Sequence, residues 1–167
     1  MAANIRIRRS VLDRLLADDA PEGLVMTQTV EQLRDTVARD VEALLNTRAP
    51  LDFEALRSTP QARRSVVTYG VRDFVGRVLS NSQEQRYIAA SLAQAIESHE
   101  PRLTQVQVRF NDREGAINSL AFTIRALLIV HPSKESVSFD AVLQPSLGRF
   151  AVTQARFAAP SAAAAPH

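Results

Sequence analysis

The apolar positions of this chain follow two different spacings, and the change between them divides the molecule. Val30, Leu33, Val37, Val41, Leu44 and Leu45 recur by threes and fours, the stripe of an amphipathic helix with one buried face. Thr29 and Gln32 are placed to form a capping box at its start. The helix is expected to stop near Asn46, and Pro50 prevents its continuation. Ser82, with Gln85 three residues on, reads as the N-cap of a second long helix reaching about His99, with Ile88, Leu92 and Ile96 inward. A shorter helix is predicted near the N-terminus, capped by Ser10 and carrying Val11, Leu12, Leu15 and Leu16 on one face. Pro21 and Gly23 make 18–27 a loop. The stretch 51–81 is less regular: Pro60 is expected to open a short helix through Val67, and Gly70 to end it.

From Leu103 the period becomes two. Val106, Val108 and Phe110 share one face of a strand, and Gln105, Gln107 and Arg109 the other. After a polar turn at Asn111–Gly115, a strand from Ile117 to Val130 places Leu120, Phe122, Ile124, Ala126, Leu128 and Val130 on one face. Leu127 and Ile129 are apolar on the opposite face, so its second half is expected to be covered on both sides. A turn at His131-Pro132-Ser133-Lys134 leads to a strand with Val137, Phe139, Ala141 and Leu143 inward. A turn at Pro145–Gly148 then leads to a short strand with Phe150 and Val152. The fold class is therefore α+β, with N-terminal helices packed on a C-terminal antiparallel sheet of three to four strands. The expected divisions are a short helix and loop over 1–27, one α+β domain over 28–153, and an alanine- and proline-rich flexible tail over 154–167.

Composition narrows the function classes. With 167 residues, 46% of them hydrophobic, one domain can bury a full core. The absence of cysteine excludes disulfides and thiolate metal sites. No apolar h-region follows the first residues, and no stretch approaches the ~18 apolar residues of a membrane span, so a cytoplasmic protein without direct membrane insertion is expected. Formal charge is +2 although the pI is near 9.6. Both hold because nearly every base is arginine and little else titrates in the alkaline range. That balance alone does not argue for nucleic acid.

Candidate chemistry is thin. Glu97 and Glu100 lie near one helix end and Asp112 and Glu114 in a turn, but nothing sets either pair across a scissile bond as a glycosidase requires. His99, His131 and His167 are scattered, so no metal set forms, and His99 reads as a cation or hydrogen-bond donor at a helix C-terminus. No glycine-rich loop has phosphate-binding spacing. The clusters Arg6-Arg8-Arg9 and Arg63-Arg64 could contact phosphates, but a solvated face is the better reading. No catalytic, cofactor or metal residues are assigned, and a cell-wall glycosidase and a nucleic-acid-binding module remain as alternatives.

The corner Glu100-Pro101-Arg102 has a definite mechanical reading. Proline disfavours a helical Glu100 and fixes its own φ, so the chain leaves the helix at a set angle. Glu100 and Arg102 then either project from this stiff corner toward a partner or pair locally to cap the helix end.

Four landmarks occur in order: Ser10-Val11-Leu12-Asp13-Arg14-Leu15, Leu45-Asn46-Thr47-Arg48, Ser65-Val66-Val67-Thr68-Tyr69-Gly70, and Glu100-Pro101-Arg102. With the strand pattern that follows, this set resembles the TssE family of type VI secretion baseplate subunits, relatives of the small wedge protein of contractile phage tails, over roughly residues 8 to 153. The chain departs from the pattern at Val71 and Arg72, where the family loop usually reads Leu-Pro before Asp73, and at Thr68, where asparagine is common. Arg72 lacks proline's φ restriction, which suggests a more mobile or more charged loop. The resemblance implies a non-enzymatic structural subunit without cofactors. It joins TssF and TssG in a wedge, sits with TssK and the VgrG hub in the baseplate on the inner face of the cell envelope, and helps nucleate the TssB–TssC sheath. The implied partner-binding residues are Glu100, Pro101, Arg102, Tyr69, Gly70 and Asp73. It also implies that an exposed strand edge, either Leu103–Phe110 or Phe150–Val152, accepts strands from the first sheath ring.

Overall fold

The computed structural model describes residues 7–8, 15, 27–51, 54–72, 82–111, 120–144 and 147–157. Helix α1 spans Val30–Leu45 and begins with the capping box: the Thr29 hydroxyl accepts from Gln32 N, and the Gln32 side chain accepts from Thr29 N. All six residues of its expected stripe are buried, and so is Arg34. The Arg34 guanidinium donates to Glu135 at 2.9 Å, which accounts for a charged side chain on a buried face. Helix α2 spans Ser82–His99 and buries Ile88, Leu92, Ala95 and Ile96. Ser82 is already helical, so the cap position falls outside the described residues.

Strands β1 (Ile7–Arg8) and β2 (Thr27–Gln28) form a small antiparallel pair. Neither strand is among the expected elements, and Thr27 falls in the stretch expected to be a loop. The short N-terminal helix and the turn 112–119 lie outside the described residues, except that Leu15 is helical and exposed.

The main sheet is a four-stranded antiparallel meander of β3 (Leu103–Asn111), β4 (Leu120–Val130), β5 (Ser133–Gln144) and β6 (Arg149–Phe157), in that spatial order. Strands β4 and β5 pair without interruption from Leu120↔Leu143 to Val130↔Ser133, joined by the two-residue turn His131-Pro132. Strand β6 is longer than the short strand expected and runs past residue 153 to Phe157.

One face of the sheet carries the core. Phe122, Ile124, Ala126, Leu128, Val130, Val137, Phe139 and Ala141 are buried there with the apolar stripes of both helices. Helix α2 packs on β3 and α1 on β6, so each helix covers one margin of the meander. On the far face Leu127 and Ile129 are half-buried, not fully covered.

The expected helix after Pro60 is instead two 3-10 turns, Ala62–Arg64 and Val66–Thr68. Ser65 separates them with an extended backbone, and its hydroxyl accepts from Val67 N. A serine whose side chain caps a new turn competes with helix continuation, and here the cap prevails.

Candidate functional site at the helix-to-sheet corner

Helix α2 closes with Glu100 N donating to Ile96 O at 2.8 Å, and the chain turns into β3 with Leu103 N donating to Glu100 O at 3.0 Å. Pro101 is exposed at the apex. Arg102 grips Glu100 with a fork: Nε donates to Oε1 at 2.6 Å and Nη2 to Oε2 at 2.5 Å, while Arg102 N also reaches Oε1 at 3.2 Å. Nη2 donates in addition to Asp40 Oδ2 of α1 at 2.5 Å. One guanidinium thus ties the start of β3 to the end of α2 and the middle of α1. Burial works against its charge, but its hydrogen bonds to the Glu100 and Asp40 carboxylates outweigh this and raise its pKa above the ordinary arginine value.

The three side chains differ in exposure: 6% for Glu100, 26% for Arg102 and 41% for Asp40. Of the two readings the sequence left open, Glu100 follows the second: it pairs locally with Arg102 and does not project from the corner. Its carboxylate has turned inward to satisfy both the arginine and the backbone, because a buried charge needs a partner of this quality. The outward part of the cluster consists of Asp40, the rim of Arg102 and Pro101. Asp40 carried no signal in the sequence, since its partner lies 62 positions away.

The other two central landmarks meet beside this corner. Val71 N donates to Thr47 O at 2.8 Å and Ala49 N to Val71 O at 3.0 Å, which pairs the two loops as a parallel bridge at Arg48↔Val71. Gly70 sits at φ +119°, and a Cβ there would lie 2.4 Å from Thr47 O. The glycine is required twice, by its backbone conformation and by the close approach. It lies buried behind the surface and shapes the loop. Tyr69 meets His99 edge-to-face, with ring centroids 5.4 Å apart. Burial, followed by the charges of Asp40 and Glu100, raises the Tyr69 pKa.

His99 Nε2 lies 2.9 Å from Thr68 O and donates to it. Burial is the main cause lowering the His99 pKa, aided by the nearby Arg64 charge and opposed by the bond to Thr68. It is the donor that the sequence suggested, directed at a neighbouring loop and not at its own helix, and the lowered pKa corrects the cationic reading. Thr68, where asparagine was expected, is fully buried and places its hydroxyl 2.9 Å from Arg63 O and 3.1 Å from Ser65 O. Arg72 Nη1 donates to Tyr87 OH, and its guanidinium carbon lies 6.0 Å from the Tyr87 ring centroid. The extra charge at the proline position is thereby tied to α2 and is not loose, as its lack of φ restriction had suggested. Asp73 lies outside the described residues.

The two edges of the sheet form the second part of the site. On β6, Phe150 N donates to Asn46 Oδ1 at 2.9 Å, Asn46 Nδ2 donates back to Phe150 O at 2.9 Å, and Val152 N donates to Glu42 Oε2 at 2.8 Å. On β3, Val106 N donates to Glu97 Oε1 of α2 at 3.0 Å. A bulge lies between Thr104 and Gln107, with Gln105 at φ 55°. Because Val106 N–H points away from β4, strand alternation turns those of Val108 and Phe110 outward as well. A groove of about 510 Å³ lies beside them, lined by Ser82, Arg86, Ala89, Val108 and Phe110 among others.

Of the carboxylates weighed for acid/base work, Glu97 is engaged by the β3 backbone and Glu100 by Arg102, while Asp112 and Glu114 lie outside the described residues. Among the described residues no cluster of three or more His, Asp or Glu is arranged to hold a metal ion, and no helix is long and apolar enough to cross a membrane.

Among the described residues these features define a small α+β domain whose sheet is closed at one edge by helix side chains, partly open at the other, and joined to its helices by an ion-paired corner. The family model for baseplate wedge protein gp25 matches residues 31–133, more than half of the chain, and the chain belongs to this family of structural baseplate proteins. The match takes in the three central landmarks and is consistent with the TssE resemblance. No curated protein matches the chain.

Proposed function

We propose that this protein is a TssE-type wedge subunit of a type VI secretion baseplate, bound to TssF and TssG, in contact with TssK and the VgrG hub within the assembly, and acting in the cytoplasm on the inner face of the envelope. The observation that carries the reading is the convergence of three ordered landmarks on one joint: the 46–49 and 69–71 loops pair, and Tyr69 stands beside the Glu100-Pro101-Arg102 corner. Tyr69, Pro101, Arg102 and Asp40 form the docking face, and Glu100 and Gly70 hold it in shape from behind; Asp73 is proposed as a further contact on the resemblance alone.

Because Glu100 is buried, its removal cannot separate docking from folding. Asp40 can, since its carboxylate is 41% exposed and an exposed ion pair contributes about 1 kcal/mol or less. Asp40→Ala is expected to cost about 1 kcal/mol or less and to lower recovery of TssF and TssG in a pull-down. Full recovery with the folded variant rejects this face as the docking site.

We further propose that the outward groups of Val108 and Phe110 accept an extended strand from the TssB–TssC sheath. The outward amides of Phe150 and Val152 already have partners in α1, so of the two edges suggested by the sequence, β3 is the better suited. A strand added there gains main-chain hydrogen bonds and a flanking groove for alternate side chains.

A further inference from the structure

We infer that Glu42 and Asn46 are specificity-determining residues for strand pairing: they close the β6 edge, so that an incoming strand can pair only at β3. Strand β6 ends the spatial order of the meander, and an end strand normally presents a ladder of free amides and carbonyls to any extended chain. Strands β5 and β6 pair through Gln144↔Arg149, Val142↔Ala151 and Asp140↔Thr153, which leaves Phe150 and Val152 directed outward. Both outward amides, and the Phe150 carbonyl, are taken by side chains from the last turns of α1.

Asn46 is suited to this because a primary amide has one acceptor and two donors. It meets the N–H and C=O of Phe150 together, as a neighbouring strand would, while its backbone ends the helix and its Nδ2 also reaches Glu42 O at 2.9 Å. Glu42, one turn earlier, takes the next outward amide. The spacing of the two side chains on α1 matches the two-residue spacing of outward groups on β6. Beyond them the strand breaks its own ladder: between the pairs Asp140↔Thr153 and Ser138↔Arg156, one residue of β5 faces two of β6. That bulge makes the remainder of the edge a poor template.

The direction of a sheath strand to β3 rests on the functional reading above; the closure of β6 does not. If the two side chains are removed, the exposed edge is self-complementary, and a second copy can pair with it antiparallel about a two-fold axis. The test uses the full chain carrying Glu42→Ala with Asn46→Ala. Amide exchange at Phe150 and Val152 is expected to rise about tenfold or more, the equivalent of losing one hydrogen bond at each, with Ala151 and Thr153 unchanged. Sedimentation velocity is expected to show concentration-dependent dimers absent from the parent chain. Adding Val152→Pro, which removes an outward donor that an edge strand can spare, should return the variant to the parent's association state. Aggregation of a merely loosened core would not respond to that proline.

A folded double variant with the parent's association state overturns the inference, and so does association that the proline leaves intact. If the double variant does not fold, Glu42→Ala alone removes one bond, and unchanged exchange at Val152 then overturns it. Loss of sheath assembly with an intact, monomeric β6 bears on the functional reading alone.

Discussion

The two edges of the sheet are built from the same parts but in opposite order. Each is covered by one helix, each helix lends a glutamate to an outward amide, and each edge strand carries one bulge. On β6 the guarded stretch comes first, at Phe150 and Val152, and the bulge follows. On β3 the bulge comes first, at Gln105, the guard follows at Val106, and Val108 and Phe110 come last. Among the described residues the same devices therefore close one edge where it is straight and leave the other straight where it is open. An edge is defined by which of its flat segments the helices reach, and not by its position in the sheet alone.

The strands also differ in how they are joined to the helices. Strand β3 starts at a charged joint, where Arg102 ties Glu100 to Asp40, while the closure of β6 hangs on a packed backbone joint at Asn46, Thr47 and Gly70. The charged joint should show the largest effect. Arg102→Ala leaves Glu100 buried without its partner and is expected to cost about 3–5 kcal/mol in urea unfolding, against about 1 kcal/mol or less for Asp40→Ala. The pair Glu100→Gln with Arg102→Met removes both charges and should recover much of the loss. A cost for Arg102→Ala as small as that for Asp40→Ala would show that the fork does not anchor β3.

Gly70→Ala probes the other joint. The new Cβ would meet Thr47 O at 2.4 Å and the backbone would be held at φ +119°, so a loss of about 3 kcal/mol is expected. The disturbance passes through Thr47 to Asn46, so amide exchange at Phe150 should rise more than at Val106. Equal rises at the two amides would mean that the joints are not separate.

Paired prolines compare the edges directly. Val152→Pro removes a donor bonded to the Glu42 carboxylate and is expected to cost about 2 kcal/mol. Val108→Pro removes an outward amide with no such bond among the described residues and should cost about 1 kcal/mol or less, while stopping sheath growth in cells. The reverse order of stabilities would contradict the assignment of open and closed edges, and normal sheath assembly with folded Val108→Pro would remove β3 as the accepting strand.

Much of this architecture was legible in the sequence because it rests on local patterns. The α1 stripe, its capping box, its stop at Asn46 and the alternation of β4 and β5 all follow from spacing within a dozen residues. What was not legible depends on long-range geometry. Glu42, Asp40 and Glu97 look like solvent-facing helix charges until β6, Arg102 and β3 arrive beside them. The choice between an outward and a locally paired Glu100 stayed open for the same reason, since proline fixes the backbone angle at the corner but not the direction of the flanking carboxylate. Asn46 stood in a quoted landmark, yet its hold on Phe150, 104 positions away, has no local signature. The β3 bulge was masked by an alternation that reads correctly from Val106 onward; only the burial of both Leu103 and Val106 reveals the extra residue.

The smallest effect concerns the clasp that links the two joints. His99 closes α2 next to the charged joint, and its Nε2 donates to Thr68 O in the loop that leads to Gly70. Burial lowers its pKa below the ordinary 6.5, so the unfolded chain takes up this proton before the folded protein does. The stability it contributes is therefore fully present above pH 6.5 and falls as the pH drops toward the lowered native value. His99→Gln retains an amide donor for Thr68 O but does not titrate. Melting curves between about pH 8 and about pH 5 should show a steeper acid-side loss for the parent chain than for His99→Gln, with the difference closing at the alkaline end. Parallel curves would mean that His99 titrates alike in both states and that the clasp is not held by its neutral form. Because the clasp joins both halves, acid should loosen the amides of Phe150 and Val106 together, in contrast to Gly70→Ala, which is expected to separate them.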